Sequence, residues 1–286
     1  MADTLKVWKD RHGQLPPEEN NRSSQRNWDS ASIEVGKSIL REKFTDPQNK
    51  ARLNAATAPH GSDWLFALPI TAFGLRLDDE AIRMAVGLRL GVPLCEPHQC
   101  HCGSAVGALG THGLCCKKAS GRMSRHQFIN DIIYRASNKA GVPAIKEPTG
   151  LIRTDGKRPD GLTLYPWRDG RNLAWDVTVI DTFAASYITS SAVRAGGAAE
   201  IAARRKTDKY ASLPKNYEFC PIAFETMGPA NEAACDFISA LGGRLCEKTG
   251  DRRETSFLFQ RISVAIQRCN ALAIQGTYIP TSEAAT

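Results

Sequence analysis

An aspartate stands in the middle of an otherwise apolar strand pattern, Leu173-Ala174-Trp175-Asp176-Val177-Thr178-Val179-Ile180. A carboxylate buried in a strand is costly unless it is paired or holds a metal. The fold must therefore bring Asp176 a partner. Upstream, Lys157-Arg158-Pro159-Asp160 places a second carboxylate just before the apolar stretch 161–165. If the two stretches pair as a hairpin, both carboxylates lie near one end of the sheet, where they can share a divalent ion. The alternative is that Asp160 caps a Pro-Asp-Gly turn while Asp176 pairs with a buried arginine or backbone amides.

Around this pair the hydrophobic spacing predicts helices over 124–140, 197–210, 231–245 and 254–273, and strands at 142–146, 161–165, 173–180 and 217–225. Pro221 directs the last strand to a sheet edge or a bend. The order helix, three strands, helix, strand, helices is that of an α/β sandwich with a mixed sheet. Asp78 or Asp79 caps a further helix that ends at Gly91-Val92-Pro93. Residues 1–60 read as a polar tether or linker with short helices near 30–40 and 46–56. Residues 61–123 read as a helical segment with a Cys/His knuckle, 124–278 as the main domain and 279–286 as a polar tail.

Five of the nine cysteines fall between Cys95 and Cys116, with His98, His101 and His112 among them. Such clustering reads as metal ligation rather than disulfide bonding. Zn2+ wants four thiolate or imidazole ligands at tetrahedral corners. Cys100-x-Cys102 and His112-x-x-Cys115 supply a Cys3His set closed by a glycine-rich loop, with Cys95, His98, His101 and Cys116 as spares. Four protein ligands make the site structural rather than hydrolytic.

A net charge of +7 favours polyanionic partners. Lys117, Lys118, Arg122 and Arg125 follow the knuckle, Lys157 and Arg158 flank Asp160, and Arg204, Arg205 and Lys209 share the helix after Asp176. All are candidate phosphate contacts. Glu147, at the end of the first strand, is a candidate third metal ligand or a solvated strand-end glutamate. His126 either caps its helix or touches a phosphate. No apolar run approaches the roughly 18 residues of a membrane span, and residues 1–6 lack the apolar core of a signal peptide. An intracellular protein is expected.

Lys-Arg-Pro-Asp160, fifteen intervening residues, then Asp176-Val177-Thr178 resembles the core of PD-(D/E)xK nucleases. More narrowly, residues from about 95 to 228 resemble the restriction-like endonuclease domain of site-specific non-LTR retrotransposons. The Cys/His knuckle, Arg125-His126 opening the next helix, and Lys206-x-x-x-Tyr210 after the second acid occur in the order of that family. The resemblance implies a restriction-endonuclease-like mixed sheet flanked by helices and preceded by a zinc knuckle. It also implies Mg2+- (or Mn2+-) dependent nicking of DNA, with RNA as a further ligand, and nuclear location. A reverse transcriptase would lie on a longer parent protein, and no Tyr/Phe-Ala-Asp-Asp polymerase box occurs in this chain. The family's usual lysine, two residues after the second acid, is Thr178 here, and the resemblance nominates Lys206 to replace it. Catalytic residues would then be Asp160, Asp176, Lys206 and Glu147. The competing expectation is a zinc-stabilised nucleic-acid-binding module whose nuclease site is inactive.

Overall fold

The computed structural model describes residues 2–18, 24–119, 121–152 and 155–278. The expected polar tail, 279–286, and part of the expected linker, 19–23, lie outside the described residues. The chain opens with α1 (Ala2–His12), α2 (Gln25–Lys43) and α3 (Pro47–Thr57). Asp46 starts α3 by accepting the Asn49 amide, with Pro47 in the first helical position. From there on the chain is no tether. Ala51 and Ala55 are buried with Leu77, Met84 and Leu88. Small side chains permit this close approach, and the buried Arg52 donates to the Leu88 carbonyl at 2.7 Å. The next helix, α4 (Asp79–Leu90), is capped by the Asp78 carboxylate and ends on Gly91 at φ 70°.

A two-stranded ribbon follows, β1 (His98–Gln99) antiparallel to β2 (Ala105–Val106), and then a single helical turn, α5 (His112–Cys115). Next comes α6 (Gly121–Lys139), leading into β3 (Ala144–Lys146), β4 (Gly161–Thr163) and β5 (Asn172–Ile180). After α7 (Ile188–Val193) and α8 (Gly197–Lys209), β6 (Tyr217–Glu225) completes the sheet, and α9 (Glu232–Thr249) and α10 (Glu254–Gln275) close the described fold. The sheet runs β3-β4-β5-β6, antiparallel except for the parallel β5–β6 pair. The result is a mixed α/β protein with a small mixed sheet and a Cys/His cluster. Pro221 sits on β6, at the sheet edge, where its missing N–H costs no ladder bond. Asn231 covers that edge by accepting the Ala223 amide and donating to the Pro221 carbonyl.

Alternation along β5 decides what faces what. Leu173, Trp175 and Val177 enter the main core with α6, α9 and α10. Ala174 and Asp176 take the other face, against which α8 packs through Ala199, Ala202 and Ala203 over Ala223. Helix α10 belongs to two cores: Leu258 and Ile262 meet the sheet side, and Val264, Ala271 and Ile274 meet α3 and α4. Segments 61–123 and 124–278 are therefore joined through α10, which packs into both cores.

Candidate active site and metal centre

Gly161 pairs with Trp175 across the β4–β5 hairpin. Trp175 lies so close that a Cβ on Gly161 would stand 2.0 Å from its ring. Only glycine fits, and the register this sets puts Asp160 opposite Asp176. The Asp160 amide donates to the Trp175 carbonyl at 2.9 Å, and its Oδ2 accepts the Val177 amide at 2.6 Å. Asp160 thus does not cap its own Pro-Asp-Gly turn: one oxygen is tied to the backbone of the adjacent strand, while its side chain borders a cavity of about 740 Å3.

Asp176 borders the same cavity from the middle of β5, with a side chain only 4% exposed. Its Oδ1 is ion-paired to Lys206 Nζ, and its Oδ2 accepts from Tyr210 Oη at 2.6 Å, with Lys209 Nζ at 3.6 Å. The alanines of α8 explain the reach. They let the helix settle close on β6, so that Lys206 and Tyr210, four residues apart on one face, converge on one carboxylate. Burial pulls the Lys209 amine below its ordinary pKa, opposed by Asp176. Thr178 lines the same cavity beside Asp176.

Across the cavity His126 lies 2.8 Å from Asp160 Oδ2. That hydrogen bond holds the imidazole above its ordinary pKa, against the effect of burial. Glu147 also lines the cavity, at φ 48°, but its carboxylate is well exposed and pairs with Arg158. Among the described residues no three carboxylate or imidazole groups come together here as a preformed cluster. As a divalent-ion site the donor set is Asp160, which leaves Oδ1 without a hydrogen bond among the described residues, and Asp176, which would exchange a protein cation for the ion. Oxygen donors of this kind suit Mg2+ or Mn2+.

The basic candidates divide. Lys117, Arg122, Lys157, Arg158 and Lys209 line the cavity with Lys206. Lys118 donates to the His101 carbonyl, Arg205 lies on Tyr187, and Arg204 is exposed elsewhere on α8. Arg125 corrects the expectation of a phosphate contact. Only 1% exposed, it donates to Asn270 Oδ1 at 2.6 Å and to the Leu114 carbonyl at 2.5 Å. It therefore ties α6 to α10 and to α5.

The ligand atoms of Cys100, Cys102, His112 and Cys116 lie within 4.8 Å of one another, a set that fits zinc. Cys100 Sγ is 3.8 Å from Cys116 Sγ, and Cys102 Sγ is 3.2 Å from His112 Nε2. Cys116 replaces the expected Cys115. The helical turn ends at Cys115, and Cys116 just beyond it is buried in the cluster, while the exposed Cys115 donates to the His112 carbonyl and lies beside Asp181. Both ring nitrogens of His98 are engaged, by the Glu96 carbonyl and Thr277, and Cys95 turns to Gly107. Burial pushes the Cys100 thiol up, whereas hydrogen bonds from Ser104 hold Cys102 below its usual range. A cation at the centre removes the penalty on the buried thiolates.

His126, expected to cap its helix or touch a phosphate, instead meets Asp160 across 34 residues of sequence. One support escapes motif reading. Glu225, fully buried, accepts from the Ala198 and Ala199 amides and so supplies the N-terminal cap that Gly196 cannot. Its one sequence signal is a charge at the end of an apolar strand. No family model matches the chain, and no curated protein matches it.

Proposed function

We propose that this protein is a metal-dependent DNA endonuclease with a restriction-endonuclease-like core. One observation carries the reading: Asp160, Asp176 and Lys206, named from three separate stretches of sequence, meet in one cavity with a basic rim. A divalent ion bound there would supply charge neutralisation on the phosphate and a more acidic attacking water. Asp160 and Asp176 would hold it. Tyr210 fixes the Asp176 carboxylate, and Lys206, released from its ion pair, orients the attacking water. Lys117, Arg122, Lys157 and Arg158 bind the phosphates on either side. Cys100, Cys102, His112 and Cys116 would hold Zn2+, which would fix the loop that carries Lys117. Target-strand nicking in the nucleus, within a retroelement protein that carries a reverse transcriptase, is the setting that the resemblance supplies.

Binding without cleavage is favoured by one feature, the engagement of both Asp176 oxygens by Lys206 and Tyr210. Supercoiled plasmid decides between the two. With Mg2+ or Mn2+ the protein should produce nicked circles, and Asp176→Ala should not. Retained plasmid binding without nicking, or nicking equal in the variant, would sink the nuclease reading.

A further inference from the structure

Helix α6 grips Asp160 twice. Asn130 accepts from Trp175 Nε1 at 2.9 Å and donates to the Asp160 carbonyl at 3.3 Å. His126, one turn earlier on the same face, meets the carboxylate of that residue, Nε2 to Oδ2 at 2.8 Å. A carboxylate oxygen only accepts, so Nε2 carries the proton and donates. The Val177 amide donates to the same oxygen. Both bonds fall on Oδ2, and Oδ1 takes none among the described residues.

The ring is held from behind. Arg125 clamps the start of α6 through Asn270 on α10 and through the Leu114 carbonyl, which lies between the zinc donors His112 and Cys116. This buried anchor fixes the helix turn from which His126 projects, although the imidazole itself remains about a third exposed at the cavity wall.

We infer that His126 is a positioning residue for a divalent cation at Asp160. With the Val177 amide it locks Oδ2, so that Oδ1 is presented to the ion already oriented. The inference rests on the nuclease reading, which puts a metal at Asp160. A hydrogen bond to a ligating carboxylate limits its rotation before the ion arrives, and losing such a partner typically weakens metal binding about 10- to 100-fold. The role needs a donor at this point and not a titrating ring, so the Nε2 of glutamine can take it over.

The test is a calorimetric titration of the zinc-loaded full chain with Mn2+, alongside the Mg2+ dependence of plasmid nicking. Asp160→Ala should abolish the Mn2+ site. His126→Ala should weaken it about tenfold and raise the half-saturating Mg2+ for nicking by a similar factor, with the rate at saturating metal within a few-fold of wild type. His126→Gln should recover most of the loss. Unchanged affinity in His126→Ala, no recovery in His126→Gln, or a fall in saturated rate at unchanged affinity would each overturn the assignment. If wild type binds Mn2+ through Asp160 yet does not nick, the nuclease reading fails and the affinities alone decide the role of His126. If wild type binds no Mn2+, both fail.

Discussion

The protein carries two candidate metal centres that reach charge balance in opposite ways. In the Cys/His cluster four donors face one another with no lysine or arginine paired to them among the described residues, and burial pushes the Cys100 thiol up. At the acidic site the buried Asp176 carboxylate already has Lys206 and Tyr210 on it. An ion at the first centre would meet four open donors. At the second it would have to displace a lysine. A structural metal and an exchangeable one are expected to follow from that difference.

The largest effect should come from breaking the first centre. Cys100→Ser with Cys116→Ser should lose about one equivalent of zinc and, with it, much of the roughly 10 kcal/mol or more that a structural zinc site contributes to local folding. Cys115→Ser should keep the zinc, and elemental analysis of both proteins checks the ligand set. At the second centre Lys206→Met should lower the nicking rate by about 10^2 to 10^4, the usual scale for a positioned proton-handling group. Its zinc content should not change.

A smaller effect tests the scaffold under Lys206. Burial raises Glu225 from an ordinary 4.5 to about 7. Because the folded value lies above the unfolded one, the associated stability is complete below about 4.5 and is lost as pH rises through about 7. Glu225→Gln keeps an acceptor for the Ala198 and Ala199 amides but removes the titration. Across that window wild type should lose roughly 3 kcal/mol relative to the variant, measured by urea unfolding at pH 4.5 and 8. The neighbouring Asp181, also raised by burial, is common to both proteins. The smallest effect belongs to the rim. Lys157→Ala should weaken DNA binding at low salt and reduce the slope of log affinity against log salt by about one.

Much of this arrangement is legible in the chain because its signals are local. Asp78 and Gly91 bracket α4, and Pro221 foretells an edge. Strand alternation puts Asp176 and Thr178 on one face, and four-residue spacing puts Lys206 and Tyr210 together. Where the sequence misleads, the deciding contact is distant or depends on where one short helical turn ends. Cys115 and Cys116 differ only in where a single helical turn ends. Arg125 stands among surface-like basic residues, yet its partners are on α5 and α10. The core role of α3 rests on alanines and a buried arginine, which hydrophobicity does not flag.

The separation of the two centres is tested most directly by plasmid nicking with zinc-saturated protein across a Mg2+ titration, run beside Asp160→Asn and Asp176→Asn. The expected result is no nicking at full zinc without Mg2+, a saturable rise as Mg2+ is added, and no nicking by either variant at undiminished DNA binding. Nicking without Mg2+, or Mg2+-dependent nicking that survives both substitutions, would contradict the account.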